Sequence, residues 1–211
     1  MSELIDPAPR EFSFTNEDFN FLSKLVGMNT GINLTEDKRE LVYGRVAKRL
    51  RLLGLHSFSD YCMLLQQGNT EEVKHFINSI TTNVTSFFRE AHHFEYLAST
   101  VIPDIISKNA GKDRPQLRIW SAGCSSGEEP YSIAMVLRES ISDIDKWDAR
   151  ILATDLDSNV LETAKIGEYP IERANPVSNE RKKRWLLIGT GSKHGRIKIR
   201  TDIRDMVHFK Q

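Results

Sequence analysis

The sequence predicts a helical bundle followed by an α/β unit on a parallel sheet, with a small antiparallel β element near its end. Three observations carry this. Apolar residues recur at helical spacing from Asn16 to about Ser79, with no convincing strand among them. Two apolar runs, LRIWSA and ARILATD, alternate with helical stretches, and strand, helix, strand, helix is the grammar of a parallel sheet. Last, RWLLI, RIKIR and DMVHF alternate in the manner of an antiparallel hairpin system joined through GTGSKHG.

Each element follows from local signals. The first nine residues hold two prolines and read as a disordered lead. Phe19, Leu22, Leu25 and Val26 form one helical stripe, and Tyr61, Leu64 and Leu65 another. Gly54, Gly68 and Asn69 mark breaks between helices, so a small bundle over 10–80 is expected. The second domain is placed at 81–211, opening with a helix through His93, Tyr96 and Leu97 that closes at the polar SKNAGKDRPQ. Helices are expected from about Glu129 to Ser140 and from about Ser158 to Ile166. The second stops at Gly167, where a left-handed residue belongs. The antiparallel β-subdomain is placed at about 170–211.

Composition excludes several classes. At 211 residues the chain can build a real core. Lys+Arg and Asp+Glu are both 29, which argues against a general polyanion binder and so against nucleic acid as partner. No stretch is long and apolar enough to span a bilayer, and the first residues lack the apolar run of a signal peptide, so the expected location is cytoplasmic. The two cysteines, Cys62 and Cys124, suggest neither a disulfide framework nor a metal site. His92 and His93 are adjacent and point to different helix faces, so pairing with Glu90 around a metal is not expected.

IWSAGCSSGEEPYS carries the clearest chemistry. A strand ends near Ser121, the chain turns through Gly123 to Gly127, and a helix begins near Glu129 and Pro130. Glycines there let backbone approach a ligand closely. Asp155 ends the next strand, where an acid can bond both hydroxyls of a ribose. The spacing is G-x-x-x-G rather than G-x-G-x-x-G, and Glu128 and Glu129 stand where a diphosphate would sit. Two carboxylates repel a diphosphate and suit a cationic nucleoside, S-adenosylmethionine. Upstream, NVTSFFRE sets Arg89 after two phenylalanines, and its planar fork suits a carboxylate, either that of a substrate or that of the cofactor. Cys124 has no basic partner in sequence and reads as bulk filling.

TTNVTSFFREAHHF, IWSAGCSSGEEPYSIAM and ILATDLDSNVLETAKIGEY together closely resemble the CheR-type chemotaxis receptor methyltransferases, over Phe19 to the last residue. The resemblance implies a Rossmann-like sheet and methyl transfer from S-adenosylmethionine to glutamates of methyl-accepting chemotaxis receptors, leaving S-adenosylhomocysteine. It implies cofactor contacts at Asn83, Thr85, Arg89, Glu129 and Asp155, beside the loop glycine Gly123, and a place for Arg89 in the catalytic site. The helical half would recognise the receptor and the tail hairpin would be the family's β-subdomain. Family members continue past this tail into strands that complete the pocket, whereas two parallel strands are visible here. The chain is therefore expected to be truncated, and the alternative to an enzyme is a receptor-docking or regulatory module.

Two surfaces are candidates for that partner. Along DKRELVYGRVAKRLRLLGL, Val42, Val46, Leu50 and Leu53 share one helical side, while Lys38, Arg45, Lys48 and Arg49 gather on the other with Arg51 at the margin. Such a face would meet acidic receptor helices. Members that dock on a pentapeptide at the receptor's C-terminal tail have a glycine-bearing loop where this sequence has Gly189 and Gly191.

Overall fold

A computed structural model describes residues 10–211; the expected disordered lead, the first nine residues, lies outside them. The chain divides into two compact units, with the break between Thr81 and Thr82.

Among the described residues the first unit holds four α-helices: α1 (Asn16–Thr30), α2 (Arg39–Leu53), α3 (Phe58–Gln66) and α4 (Thr70–Ile80). Their ends are set by sequence. Thr15 and Asp18 form a reciprocal capping box ahead of α1. Ser57 and Asn69 cap α3 and α4 by accepting amides three residues on. Gly54 ends α2 in the left-handed region. Leu22 and Val26 of α1, Val42, Val46 and Leu50 of α2, Phe58 and Tyr61 of α3 and Phe76 of α4 are fully buried together. Leu53 departs from expectation: it lies in the last turn of α2 and is 37% exposed.

The second unit opens with α5 (Ala91–Tyr96), a π turn over Leu97–Val101 and α6 (Ile102–Lys108). Then come β1 (Gln116–Ala122), α7 (Glu128–Ser140), β2 (Asp148–Thr154) and α8 (Ser158–Ile166). The helix at 158–166 has the predicted bounds because Asp157 caps its start and Gly167, at φ 64°, ends it. Next are β3 (Glu168–Pro170), α9 (Asn179–Trp185), β4 (Leu186–Ile188), β5 (Arg196–Ile199), the short α10 (Thr201–Arg204) and β6 (Val207–Lys210).

Here two expectations are corrected. The parallel sheet has three strands in the order β1-β2-β6, not two. The antiparallel sheet has the order β3-β5-β4, so it spans Glu168–Ile199 and excludes the final strand. Alternation in DMVHF was compatible with either pairing, since period two reports a pleat and not a direction. The connection decides: α10 leads the chain in beside β2, where Val207 pairs with Ile151 and Phe209 sets its ring edge-on to Tyr131 at 5.6 Å.

Candidate functional site

The register of β1 on β2 brings two loops side by side. Ala122 stands opposite Thr154, so both strands end at one level. The amides of Gly123 and Cys124 both donate to the Thr154 carbonyl, at 2.8 and 2.9 Å. Gly123 sits at φ 72°, and a Cβ there would meet nothing within 4 Å, so the approach above it is open. Gly127 serves packing instead: at φ 95°, its added Cβ would lie 2.9 Å from that of Ala164, so α7 starts tight against α8.

Asp155 leaves the end of β2 with its carboxylate oriented from both sides. Oδ2 accepts the Ser125 amide at 2.7 Å and Oδ1 the Asp157 amide at 2.9 Å. Each carboxylate oxygen has capacity for a second donor, so the group is held in one plane yet can still receive a pair of hydroxyls. Ser125 adopts φ 49°, and its buried hydroxyl has no hydrogen-bond partner among the described residues. Asn83 donates from Nδ2 to Asp157 Oδ2 at 2.7 Å, which ties NVTSFFRE to the turn after β2. Thr85 contributes its carbonyl, which accepts from Arg173 at 3.0 Å.

The two glutamates that open α7 have different fates, which corrects the picture of a paired acidic site. Successive helical residues point about 100° apart, so one cannot follow the other. Glu128 is fully buried, accepting from Ser126 Oγ at 2.7 Å and pairing with Arg173 at 3.3 Å. Glu129 is exposed, and Ser121 Oγ donates to its Oε1 at 2.7 Å. A single carboxylate therefore faces outward.

Phe87 is buried with its ring edge-on to Tyr169 at 5.3 Å. Phe88 is half-buried at φ 53° and Glu90 follows at φ 57°, so Arg89 lies between two left-handed residues, a strained arrangement for a bulky side chain. The Arg89 guanidinium is exposed and donates to the Val84 carbonyl at 2.8 Å. Arg89 and Glu129 line one cavity of about 490 Å³, walled by Phe94, Leu97, Ile119 and Ile133. Asn83, Thr85 and Asp155 are not on that wall; Asn83 and Asp155 both bond Asp157 beside the strand ends, and Thr85 sits against Arg173. Cys124 is buried, and burial first, with the neighbouring Asp155 charge second, pushes its thiol up to about 12. His92 and Glu90 are exposed and 3.9 Å apart, and among the described residues no three His, Cys, Asp or Glu groups share a metal position.

The cationic face of α2 is largely spoken for within its own unit. Arg45 Nη1 donates to the carbonyls of Ser79 (2.9 Å), Ile80 and Thr81 (2.6 Å), closing the C-terminus of α4. Arg49 grips the buried Glu72 through Nε at 2.8 Å and through Nη2, while Tyr61 donates to the same carboxylate at 2.7 Å. Burial pushes Glu72 up, but the Arg49 and Tyr61 hydrogen bonds outweigh it and hold the carboxyl below its ordinary value. Arg51 pairs with Glu11, and Lys38 precedes α2 beside Asp37. Lys48 is exposed with no ion pair among the described residues. Of the cations expected on one face, those left outward are Lys48 and the paired Lys38 and Arg51. The cause lay in partners distant in sequence.

An α/β sheet with a glycine turn after one strand and an acid after the next is an arrangement in which nucleoside cofactors are held. Comparison with known proteins specifies which. Residues 83–211 match the model of the CheR methyltransferase SAM binding domain, and residues 17–81 that of the CheR methyltransferase all-alpha domain. Over 202 residues the chain is 43% identical to chemotaxis protein methyltransferase 2 of Pseudomonas aeruginosa, covering 96% of this chain and 69% of that protein. It is 38% identical to the chemotaxis protein methyltransferase of Escherichia coli (93% and 66% covered) and 36% to that of Salmonella typhimurium (95% and 66%). The chain belongs to the CheR methyltransferase family, and it spans about two thirds of the length of these relatives.

Three residues that hold the site together escaped the sequence reading. Asp157 was legible as a helix cap, being an Asp just before a helical run, but not as the partner of Asn83. Arg173 and Tyr169, whose hydroxyl donates to the Ser126 carbonyl at 2.7 Å, come from the segment after α8, and nothing local marks them.

Proposed function

We propose that this chain transfers a methyl group from S-adenosylmethionine to glutamate side chains of chemotaxis receptors, working in the cytoplasm. The observation that supports it is Asp155, its two oxygens fixed by the Ser125 and Asp157 amides at the edge where β1 and β2 end together. The residues present fit such a cofactor. Asp155 would bind the sugar hydroxyls, Gly123 leaves the approach open, and Glu129 offers one outward carboxylate to a cation. Asn83 and Thr85 would contribute polar contacts from the adjoining segment. When bound, the cofactor supplies a methyl group on positively charged sulfur.

The rest is positioning. A glutamate with a reference pKa of about 4.3 is ionised at neutral pH, so its oxygen attacks without a general base. Held geometry contributes about 7–11 kcal/mol to such displacements in favourable cases. Arg89, on the wall shared with Glu129, would orient a carboxylate. For the receptor, Lys48 with Lys38 and Arg51 would steer acidic helices, while the inner cations Arg45 and Arg49 stabilise the surface beneath. A C-terminal receptor pentapeptide would add a strand to the outer edge of β4, where Leu187 and Ile188 are exposed. Gly189 lets that hairpin close, since a Cβ there would fall 2.0 Å from the Lys193 carbonyl oxygen, and Gly191 turns at φ 56°.

The test pairs calorimetric titration with S-adenosylhomocysteine and transfer of labelled methyl to receptor glutamates. Binding with transfer supports the proposal. Binding without transfer removes the enzyme and keeps the cofactor site, and neither result leaves the docking module.

A further inference from the structure

Resting on that reading of the site, we propose that Asp157 is a positioning residue that locks Asn83 and Asp155 into one nucleoside-binding arrangement without touching the ligand. Its side chain is buried at 4% exposure and divides its two oxygens between tasks. Oδ1 caps α8 through the amides of Asn159 at 2.9 Å and Val160 at 3.4 Å. Oδ2 accepts Asn83 Nδ2 at 2.7 Å, across 74 residues of chain. Its backbone N–H meanwhile fixes Asp155 Oδ1 at 2.9 Å.

The cap alone does not explain the residue, because serine and asparagine cap helices as well as aspartate does. Accepting on both sides of one planar group does explain it. Asparagine has one accepting oxygen, and serine is too short to reach both partners. With Nδ2 of Asn83 turned to Asp157, the amide is held in one of its two flips, and its own oxygen lies on the opposite side as an acceptor. A cap that also sets the flip makes the helix start, the ribose-type acid and the NVT segment a single assembly.

Calorimetric titration of the whole chain with S-adenosylhomocysteine, alongside thermal unfolding, tests this in Asp157→Asn, Asp157→Ser, Asn83→Ala and Asp155→Asn. Both Asp157 variants keep a capping oxygen but deprive the Asn83 amide of its charged acceptor, so their midpoints are expected to fall by about 2–8 °C. Their dissociation constants are expected to rise roughly 10-fold from loss of an oriented, charge-assisted hydrogen bond. In an Asn83→Ala background, Asp157→Asn should weaken binding no further, because the two residues act as one. Unchanged affinity in both Asp157 variants, while Asp155→Asn loses binding, overturns this inference and leaves the cofactor site standing. Fully additive losses from Asn83→Ala and Asp157→Asn also overturn it. A parent chain that gives no heat overturns the site and the inference together.

Discussion

Charged groups serve two purposes here, and each unit shows one of them plainly. In the helical unit, two of the five cations predicted for a partner are turned inward: Arg45 closes the end of α4 and Arg49 neutralises the buried Glu72. In the α/β unit, Asp155 is fixed by backbone donors yet keeps bonding capacity, and Glu129 is held by a single serine hydroxyl. The lesson concerns partners. A charge satisfied by another charge under cover stabilises a fold, whereas a charge oriented by neutral donors at a rim is poised for a ligand.

The sharpest way to break this contrast is to uncouple the buried pair. Arg49→Leu leaves Glu72 charged and 4% exposed, which should cost about 3–5 kcal/mol on denaturant unfolding. Nucleoside binding by Asp155 should be unaffected; loss of both would mean the charges do not divide by role. Next is Gly127→Ala, expected to destabilise by about 2 kcal/mol through its left-handed backbone and the contact with Ala164. A smaller effect on stability with a larger one on binding is expected of Asp155→Asn, which should weaken S-adenosylhomocysteine about 20-fold, or roughly 1.8 kcal/mol, in calorimetry.

Acid sharpens the comparison further. Glu72 is held below its ordinary value of 4.5, so its pairing contributes stability that is present above that pH and fades as pH falls through the lower folded value. Glu139 behaves likewise: burial pushes it up, and Arg181 and Trp185 more than offset it. Unfolding midpoints should decline below about pH 4.5, and Glu72→Gln should flatten that decline. The smallest effect belongs to the rim: Lys48→Glu should slow receptor association about two- to fivefold at low salt and negligibly near 0.5 M, by stopped flow.

Legibility in sequence followed the range of the interaction. The helix at 158–166 was readable because Gly167 acts within a turn of its end. Glu128 was misread for a related reason: two adjacent glutamates look alike in a string, and Arg173, which draws one of them inward, lies 45 residues on. The last strand was assigned to the wrong sheet because its pleat carries no record of direction. Asp155, Glu129 and Arg89 were legible from strand ends and local pattern, whereas Asn83 and Thr85 were named from motif resemblance. The separation of Asn83 and Asp155 from the cavity lined by Arg89 and Glu129 came from tertiary packing, which no local pattern encodes.

The antiparallel sheet occupies the link between β2 and β6, and its two ends are pinned together where the Ile199 amide donates to the Gly167 carbonyl at 2.9 Å. Topologically it is a graft on a closed stalk, free to lengthen, shorten or be exchanged without shifting any register in the parallel layer. Chemically it has sent roots below the graft line, since Tyr169 and Arg173 reach the glycine turn and its buried acid. A lineage could therefore refashion β4 and β5, while β3 and the turn after it would stay tied to the glycine turn by Tyr169 and Arg173.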